Sequence, residues 1–277
     1  MKTGVKTSLY YQPGTTVTDY AQIRRHGYTC ADYQLLMATD GALYAAEESI
    51  FEKMLLAERE QAQAAGVEFS QVHAPWPTDD TTEENRAATL QHMKKAVRGT
   101  ALLGSKYLVV HPVLPYGWGK EDDPEFTEKL NAAFFSELCD YAQHYGVGIC
   151  MENLPFRAYR LSRMEKMLRF MERYRIPNLY ICMDTGHCNV FGDDCGEMIR
   201  LCGDKLKVFH IHDNNGLRDD HNLPYSGTIW WQSFKDAIRE IGFNGCLSSE
   251  ADVSRELPED IQEYMKIGLS KIMRSLG

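Results

Sequence analysis

Short apolar stretches rich in β-branched and aromatic residues recur along the chain, and each is followed by a polar turn and a longer amphipathic segment. The apolar stretches have the length of buried strands, and the amphipathic segments have the 3.6-residue period of helices. Eight candidate strands cover residues 5–11, 28–34, 67–72, 107–110, 147–151, 179–183, 206–211 and 246–249. Strands that alternate with helices in this way are typical of a parallel sheet covered by its crossover helices.

The helical segments support the same alternation. They cover residues 49–65, 83–103, 124–145, 162–174, 231–241 and 258–275, and several are followed by a glycine, at Gly66, Gly104, Gly146 and Gly242. Dividing 277 residues by eight strands gives about 35 residues per unit, the size of one βα step in a closed barrel. We therefore predict an α/β fold, a (β/α)8 TIM barrel, in a single domain of residues 1–277. An open doubly wound sheet is the competing fold, but its usual glycine-rich phosphate loops do not occur in the sequence.

Composition and charge restrict the class of protein further. With 44% hydrophobic and 25% charged residues, the chain can bury a large core. Its 30 basic and 39 acidic residues give a net charge of −9, which disfavours a nucleic-acid or anionic-membrane partner. No apolar stretch reaches the length of a membrane span or of a signal-peptide core. The eight cysteines lack CxxC spacing, so we expect reduced, buried thiols in a cytoplasmic protein.

Six consecutive candidate strands end in a histidine or an acidic residue. These residues are His73, His111, Glu152, Asp184, His210 and Glu250, and three further groups follow nearby, namely His187, Asp219 and His221. In a parallel barrel the carboxyl ends of all strands lie on one rim, so these side chains are expected to converge. Imidazoles and carboxylates are suitable ligands for zinc, manganese and cobalt, and sometimes for magnesium. The pattern therefore predicts a divalent metal site, with zinc or manganese favoured.

These residues resemble the xylose isomerase-like barrel superfamily, which contains sugar phosphate isomerases and epimerases and also endonuclease IV. The resemblance covers residues 67–250, and the segment HIHDNNGLRDDHNLPYSGTIWWQSFKDAIREIGFNGCLSSE is most similar to the sugar isomerase and epimerase branch. It implies that Glu152, Asp184, His210 and Glu250 are the central metal ligands. It also implies that Glu152 and Glu250 act as acid and base on either side of the substrate, with His187 near a substrate hydroxyl.

The expected reaction is the isomerisation or epimerisation of a sugar or sugar phosphate through a cis-enediolate. The metal polarises the substrate carbonyl, one carboxylate removes the neighbouring proton, and the same or the second carboxylate returns a proton. A dehydratase of a cyclic polyol ketone would use the same enolate and expel a hydroxyl. A non-catalytic sugar sensor would need no acid–base pair, and the presence of Glu152 and Glu250 argues against it.

A multi-zinc phosphodiesterase acting on DNA is the alternative from another class of enzyme. The resemblance implies that all nine histidine and acidic residues named above occupy positions that bind three zinc ions in endonuclease IV. His73, His111, His187, Asp219 and His221 would then hold additional ions. The surrounding segments differ, because Glu152 is followed by NLPFRAYR instead of a small glycine-rich turn. The acidic net charge also makes DNA an unfavourable partner.

Aromatic and basic side chains beside the rim are candidates for substrate contacts. Trp76 and Trp118 lie in loops after strand-end histidines, where their rings would stack on the apolar face of a sugar. Packing at the barrel end is the other interpretation of these two residues. Arg157 and Arg160 precede a helix, where a guanidinium would bind a substrate phosphate or carboxylate. The sequence leaves open which sugar is bound, whether it is phosphorylated and whether the protein is a homo-oligomer.

Overall fold

The computed structural model describes residues 1–78 and 80–277, and its central feature is one sheet of eight parallel strands. The strands are β1 (Lys2–Lys6), β2 (Cys30–Tyr33), β3 (Glu68–His73), β4 (Tyr107–Val110), β5 (Gly148–Glu152), β6 (Leu179–Asp184), β7 (Leu206–His210) and β8 (Cys246–Ser249). Strands β1 to β7 pair in chain order, and β8 pairs with β1. A parallel bridge between Ile211 and Ser249 links the ends of β7 and β8, so the sheet closes into a barrel. The predicted (β/α)8 TIM barrel is confirmed.

Helices occupy the connections between the strands and the segment after β8. In the described residues they are α1 (Tyr20–Arg25), α2 (Ala42–Ala45), α3 (Glu48–Ala64), α4 (Glu83–Leu103), α5 (Pro124–Gln143), α6 (Met164–Tyr174), α7 (Thr185–Val190), α8 (Cys195–Cys202), α9 (Trp231–Glu240) and α10 (Glu259–Leu276). Short 3-10 helices follow β1 (Thr7–Tyr10) and precede α6 (Arg160–Ser162) and β7 (Gly203–Lys205). The helices cover the outer face of the sheet, as the sequence pattern predicts.

The long helices agree with the prediction, and the short elements do not. All six predicted helices exist, with ends within two residues of those expected. The pattern does not show α1, α2, α7 and α8, because helices of four to eight residues are too short to display a helical period. The predicted strand 5–11 is wrong beyond Lys6, since the chain turns there into a 3-10 helix.

Local sequence signals fix several helix ends. The side chain of Asp123 accepts hydrogen bonds from two main-chain N–H groups in the first turn of α5, and Pro124 occupies the first helical position. Thr82 caps α4 in the same way. Helix α4 ends at Gly104, whose φ of 77° lies in the left-handed region that glycine adopts readily.

An apolar layer inside the barrel determines where the polar rim residues point. Strands β4 to β7 each contribute one buried side chain to this layer: Val109, Cys150, Cys182 and Val208. Two positions further along the chain from these residues stand His111, directly after β4, and Glu152, Asp184 and His210, which end their strands. Because side chains two residues apart lie on the same face of a strand, all four polar side chains point into the barrel above the apolar layer.

The cysteines and helices agree with two further predictions from composition. Each of the eight cysteines is a buried free thiol, as expected for a reduced protein. No helix in the described part of the chain is both long enough and apolar enough to span a bilayer. The core therefore depends on side-chain packing around the barrel and not on covalent cross-links between these thiols.

Asn131 connects α5 to the loop after β4. Its Oδ1 accepts a hydrogen bond from Val113 N (2.7 Å), and its Nδ2 donates to the main-chain oxygens of Val113 (3.0 Å) and Thr127 (2.9 Å). The side chain is fully buried. We expect Asn131→Ala to lower the free energy of unfolding by about 2–4 kcal/mol, because main-chain groups lose their partners. Chemical denaturation measures this loss. A loss no larger than that of the exposed control Asn85→Ala would contradict the anchoring role.

Candidate functional site

The carboxyl ends of the strands bring buried polar side chains together on one rim. The six residues predicted from β3 to β8 all lie there and are buried: His73, His111, Glu152, Asp184, His210 and Glu250. Lys6 at the end of β1 and Asp32 in β2 complete the ring and are buried as well. Neither is prominent in the sequence, because the predicted strands 5–11 and 28–34 continue beyond them. The expected convergence of strand ends therefore extends around the whole barrel.

Glu152 lies at the centre of a first cluster. Its Oε1 is 2.7 Å from Nδ1 of His210, and its Oε2 is 2.9 Å from Nε2 of His111 and 3.6 Å from Nε2 of His73. The side chain of Glu152 is only 1% exposed. Burial opposes its ionisation, but the charges of His210 and His111 and their hydrogen bonds hold the pKa of Glu152 well below its ordinary value. Glu152 is thus an anion surrounded by imidazoles.

Glu250 borders the first cluster from the end of β8. Its Oε2 is 3.5 Å from Nδ1 of His210, and its Oε1 accepts a hydrogen bond from Gln34 (3.2 Å). Gln34 is itself held by Ser8, whose hydroxyl donates to its Oε1 (2.6 Å). Burial opposes the ionisation of Glu250, but the charges of His210 and His221 lower its pKa to about 2. Two carboxylates therefore approach the same nitrogen of His210.

A second cluster lies beside the first. It consists of Asp184, His187, His212 and Asp219, each of which offers one ligand atom within 4.8 Å of the others. Oδ2 of Asp184 is 2.9 Å from Nε2 of His212, and Oδ2 of Asp219 is 3.1 Å from Nε2 of His187. The other ring nitrogen of His187 donates to the main-chain oxygen of Asn153 (2.7 Å). Two imidazoles and two carboxylates thus face one another in this cluster.

His212 is a site residue that the sequence interpretation did not include. The resemblance implies that Asp184 and His210 hold one metal ion, and in the structure the Asp184 carboxylate contacts His212. The hydroxyl of Thr185 fixes the His212 main chain, donating to its oxygen (2.6 Å) and accepting from its nitrogen (3.1 Å). A Cβ at Gly186 would lie 1.9 Å from the His212 ring, so glycine makes room for it. The sequence did contain a signal for His212, because it lies two positions after His210 and residues with this spacing at a strand end lie on the same face.

The loop between β7 and α9 carries Asp219 and His221 to the rim. Asp213 anchors this loop: its carboxylate accepts three main-chain N–H groups and the indole N–H of Trp231 (2.9 Å). A Cβ at Gly227 would lie 2.3 Å from Oδ1 of Asp213, so the chain passes too closely for a side chain. Asp213, Gly227 and Trp231 therefore fasten the loop, and Asp219 and His221 in the same loop reach the site.

His221 lies between the two clusters. Its Nε2 is 3.1 Å from Oδ2 of Asp219, and its Nδ1 donates to the main-chain oxygen of Glu250 (3.1 Å). The ring stacks on His212, with centroids 4.0 Å apart. A φ of 50° places His221 in the left-handed region, which is uncommon for residues other than glycine. The strained backbone is held in place by contacts to both clusters.

The donor atoms of the two clusters suit a divalent cation. Further compact groups are formed by His73, His111 and Glu152 and by His73, His210 and Glu250. In the part of the chain that the structure describes, Nδ1 of His212 and Oδ1 of Asp219 are buried without a hydrogen-bond partner. Buried polar atoms normally have partners, and nitrogen and carboxylate oxygen are the atoms that zinc, manganese and cobalt prefer. These residues are therefore candidates for holding a metal ion.

Aromatic side chains form a wall next to the first cluster. The ring centroid of Trp76 lies 4.2 Å from the ring centroid of His111 and 5.2 Å from that of Trp118. Phe156, which the sequence interpretation did not single out, lies 5.0 Å from Trp118. Trp118 is half exposed. The two predicted tryptophans thus form a continuous contact that runs from His111, a candidate metal ligand, through Trp76 to the half-exposed Trp118.

The two arginines after β5 are bonded to protein groups. Arg157 donates to the main-chain oxygen of Val190 and lies over the ring of Phe191 at 5.8 Å. Arg160 forms an ion pair with Glu128 at 3.3 Å. Binding of a substrate phosphate or carboxylate by Arg157 stays a prediction, and it requires the guanidinium to leave Val190.

The pKa values of His187 and His221, the two histidines that face Asp219, lead to a prediction of how the stability of the metal-free protein varies with pH. Burial opposes their protonation, but Asp184 and Asp219 raise the pKa of His187 to about 10. Asp219 and Glu250 likewise raise the pKa of His221 to about 9. Because both values lie above the ordinary histidine pKa of about 6.5, this stabilisation is complete below that pH and is lost as the pH rises through about 9 to 10.

We therefore expect the melting temperature in the presence of a chelator to fall as the pH rises from about 6.5 to about 10. Asp219→Asn removes the one charge that acts on both histidines, while Asp184 and Glu250 remain, so its melting temperature should fall less over the same range. Calorimetric unfolding of both proteins in matched buffers checks this difference. Equal slopes for the wild-type protein and the variant would contradict the role of Asp219.

Known proteins with related sequences or structures share this architecture. A family model described as a xylose isomerase-like TIM barrel matches residues 20–270. An uncharacterised protein of Methanocaldococcus jannaschii is 28% identical over 284 residues, covering 98% of this chain and 92% of that protein. D-psicose 3-epimerase of Agrobacterium fabrum is 23% identical over 69% of this chain and 67% of the epimerase. A solved structure of the IOLI protein with a bound zinc atom has a TM-score of 0.77 at 20% identity, covering 99% of this chain and 96% of that chain.

Proposed function

The chain belongs to the xylose isomerase-like TIM-barrel family, and on this premise we propose that it is a divalent-metal-dependent isomerase or epimerase of sugars. The observation that carries the proposal is the pair of buried carboxylates, Glu152 and Glu250, that approach Nδ1 of His210. The similarity to D-psicose 3-epimerase supports a sugar substrate. The zinc atom in a solved protein of the same fold supports metal binding by this chain.

The proposed metal ligands are Glu152, His210 and Glu250, with zinc or manganese as the favoured ion and cobalt or magnesium as alternatives. Asp184 is the fourth ligand that the family resemblance implies. Its side chain pairs with His212, while its Cα is paired with that of His210 across β6 and β7. Asp184 therefore lies at the boundary between the two clusters. It is proposed either as the fourth ligand in the first cluster or as the partner of His212 in the second.

Glu152 and Glu250 are the proposed acid and base. A bound divalent ion would polarise the carbonyl of a ketose and increase the acidity of the adjacent C–H group. Both carboxylates are ionised at neutral pH because their pKa values are lowered, so either can accept this proton. Return of a proton from the opposite face of the cis-enediolate gives an epimer, and delivery to the neighbouring carbon gives an isomer. An enzyme that instead expels a hydroxyl from the same species would be a dehydratase.

Substrate contacts are assigned to side chains around the first cluster and to His187 of the second cluster. Trp76 and Trp118 supply an aromatic wall for the apolar face of a sugar. His187 is proposed to bind a substrate hydroxyl through Nε2, the nitrogen that faces Asp219. Arg157 would bind a phosphate if the substrate is a sugar phosphate, at the expense of its bond to a main-chain oxygen.

The second cluster favours one other candidate function, a multi-zinc phosphodiesterase. Asp184, His187, His212 and Asp219 have the ligand types of a zinc site, and several zinc ions in one rim are suited to activating water and stabilising a leaving oxygen. The net charge of −9 disfavours binding of DNA by such an enzyme. Sugar isomerisation or epimerisation therefore stays the primary proposal.

Metal content separates these two candidates. We expect about one ion per chain that exchanges between manganese and zinc on dialysis. Elemental mass spectrometry on protein expressed without an affinity tag measures both the identity and the number of ions. About three zinc ions that resist dialysis would favour the phosphodiesterase. No bound ion under either condition would overturn both functions.

Replacement of either acid–base carboxylate should slow proton transfer. A screen of ketoses for exchange of carbon-bound hydrogen with D2O, followed by NMR, identifies a substrate. On that substrate we expect Glu152→Gln and Glu250→Gln to lower kcat by about 10²–10⁴-fold. Glu58→Gln, which changes a half-buried carboxylate bonded to Tyr20 outside the rim, should leave kcat unchanged. Full turnover by folded, metal-loaded Glu152→Gln and Glu250→Gln proteins would falsify the assignment.

A further inference from the structure

Asp32 lies inside the barrel beneath the first cluster. On β2 it pairs with Lys6 of β1 and with Gln71 of β3. Its side chain is fully buried, and its Oδ2 is 3.0 Å from Nε2 of His210, which is 178 positions away in the chain. The Gln71 amide donates to the same oxygen (3.4 Å) and to the main-chain oxygen of Phe209 (3.1 Å). Asp32 and Gln71 together support the end of β7 from across the barrel.

His210 consequently has carboxylates at both ring nitrogens. Nε2 faces Asp32, whereas Nδ1 faces Glu152 at 2.7 Å and Glu250 at 3.5 Å. A carboxylate only accepts hydrogen bonds, so in the metal-free protein both nitrogens donate, Nε2 to Asp32 and Nδ1 to Glu152. A histidine that binds a metal keeps the N–H group of one nitrogen and uses the other nitrogen as the ligand atom. Because Asp32 holds the N–H group of Nε2, Nδ1 is the atom left for a metal, on the side of the two other carboxylates.

We propose that Asp32 is a positioning residue that selects the ring tautomer and orientation of His210, so that Nδ1 is the atom offered to a divalent metal. This inference rests on the proposed function, because it places the metal next to Glu152 and Glu250. A histidine that binds a metal through one ring nitrogen often donates the N–H group of its other nitrogen to a carboxylate. Loss of that carboxylate weakens metal binding by about 10–100-fold.

The environment of Asp32 argues against a role in stability alone. Its second oxygen, Oδ1, is buried and has no hydrogen-bond partner among the described residues. A buried carboxylate with an unpartnered oxygen is unfavourable for folding, and an asparagine would still accept the hydrogen bond from His210 at a smaller desolvation cost. The charge of Asp32 compensates the positive charge of the His210 ring, and this compensation is still needed when a divalent metal replaces the proton on Nδ1.

Zinc affinity tests the inference with two variants and a matched control. Asp32→Asn keeps a hydrogen-bond acceptor and removes the charge, and Asp32→Ala removes both. Glu128→Gln is the control, since Glu128 is a buried carboxylate that pairs with Arg160 and Arg173 outside the rim. Competition with a chromophoric chelator should show zinc binding about 10–100-fold weaker in Asp32→Ala and a smaller loss in Asp32→Asn. The control should bind zinc like the wild-type protein.

A second measurement reports on the tautomer directly. In the zinc-loaded wild-type protein labelled with 15N-histidine, long-range 1H–15N spectra should show His210 protonated at Nε2, and Asp32→Ala should lose this single state. The melting temperatures of metal-free Asp32→Asn and Glu128→Gln give the folding cost of removing one charge from a buried pair in each protein, so that zinc affinities are compared between folded variants. If Asp32→Ala does not fold, Asp32→Asn carries both measurements.

The outcomes distinguish this inference from the proposed function. Wild-type zinc affinity in the Asp32 variants, or a His210 protonated at Nδ1 in the zinc-loaded protein, overturns the positioning role and leaves the proposed function intact. Equal weakening in Glu128→Gln and in the Asp32 variants also overturns it, since the effect would then be general. A wild-type protein that binds no zinc and no manganese overturns the proposed function, and the role of Asp32 falls with it.

Discussion

A carboxylate withdrawn almost completely from water, that of Glu152, is the group on which the rim depends. A buried negative charge is tolerated only if opposite charges and hydrogen bonds compensate for the lost hydration. Imidazoles at the ends of three different strands provide this compensation: His73, His111 and His210. Those histidines reach Glu152 only because the barrel is closed and its strands are parallel. The architecture of the sheet and the electrostatics of the site are therefore parts of one arrangement.

The second cluster depends on a different kind of support. Asp219 and His221 lie in the long connection between β7 and α9, where no strand or helix fixes them. Asp213 fastens this connection through buried hydrogen bonds, and an antiparallel bridge joins it to Asn222. A long loop that is tied down at its base and carries ligand-type side chains is typical of functional loops. The strands thus supply the first cluster, and an anchored loop completes the second.

The alternation of apolar stretches and amphipathic segments was sufficient to predict the barrel and the rim positions on β3 to β8. Those positions follow from local periodicity, since each strand end is marked by its own apolar stretch. Contacts across the barrel are not local. Nothing in the segment around Asp32 indicates that it meets His210, because that contact exists only after the strands close. The pairing of Asp184 with His212, and the bond of Arg157 to a main-chain oxygen, likewise depend on side-chain directions that a one-dimensional pattern does not contain.

Glu250 belongs to both clusters through different atoms. Its carboxylate approaches His210 in the first cluster, and its main-chain oxygen accepts a hydrogen bond from His221, which contacts Asp219 in the second. A ligand that shifts this residue in one cluster changes the hydrogen bonding in the other. Binding equilibria that share a group in this way are coupled, and the coupling has the same magnitude in both directions. A ligand that binds in one cluster and shifts Glu250 would therefore change the affinity of the other cluster, and the factor would be the same in both directions.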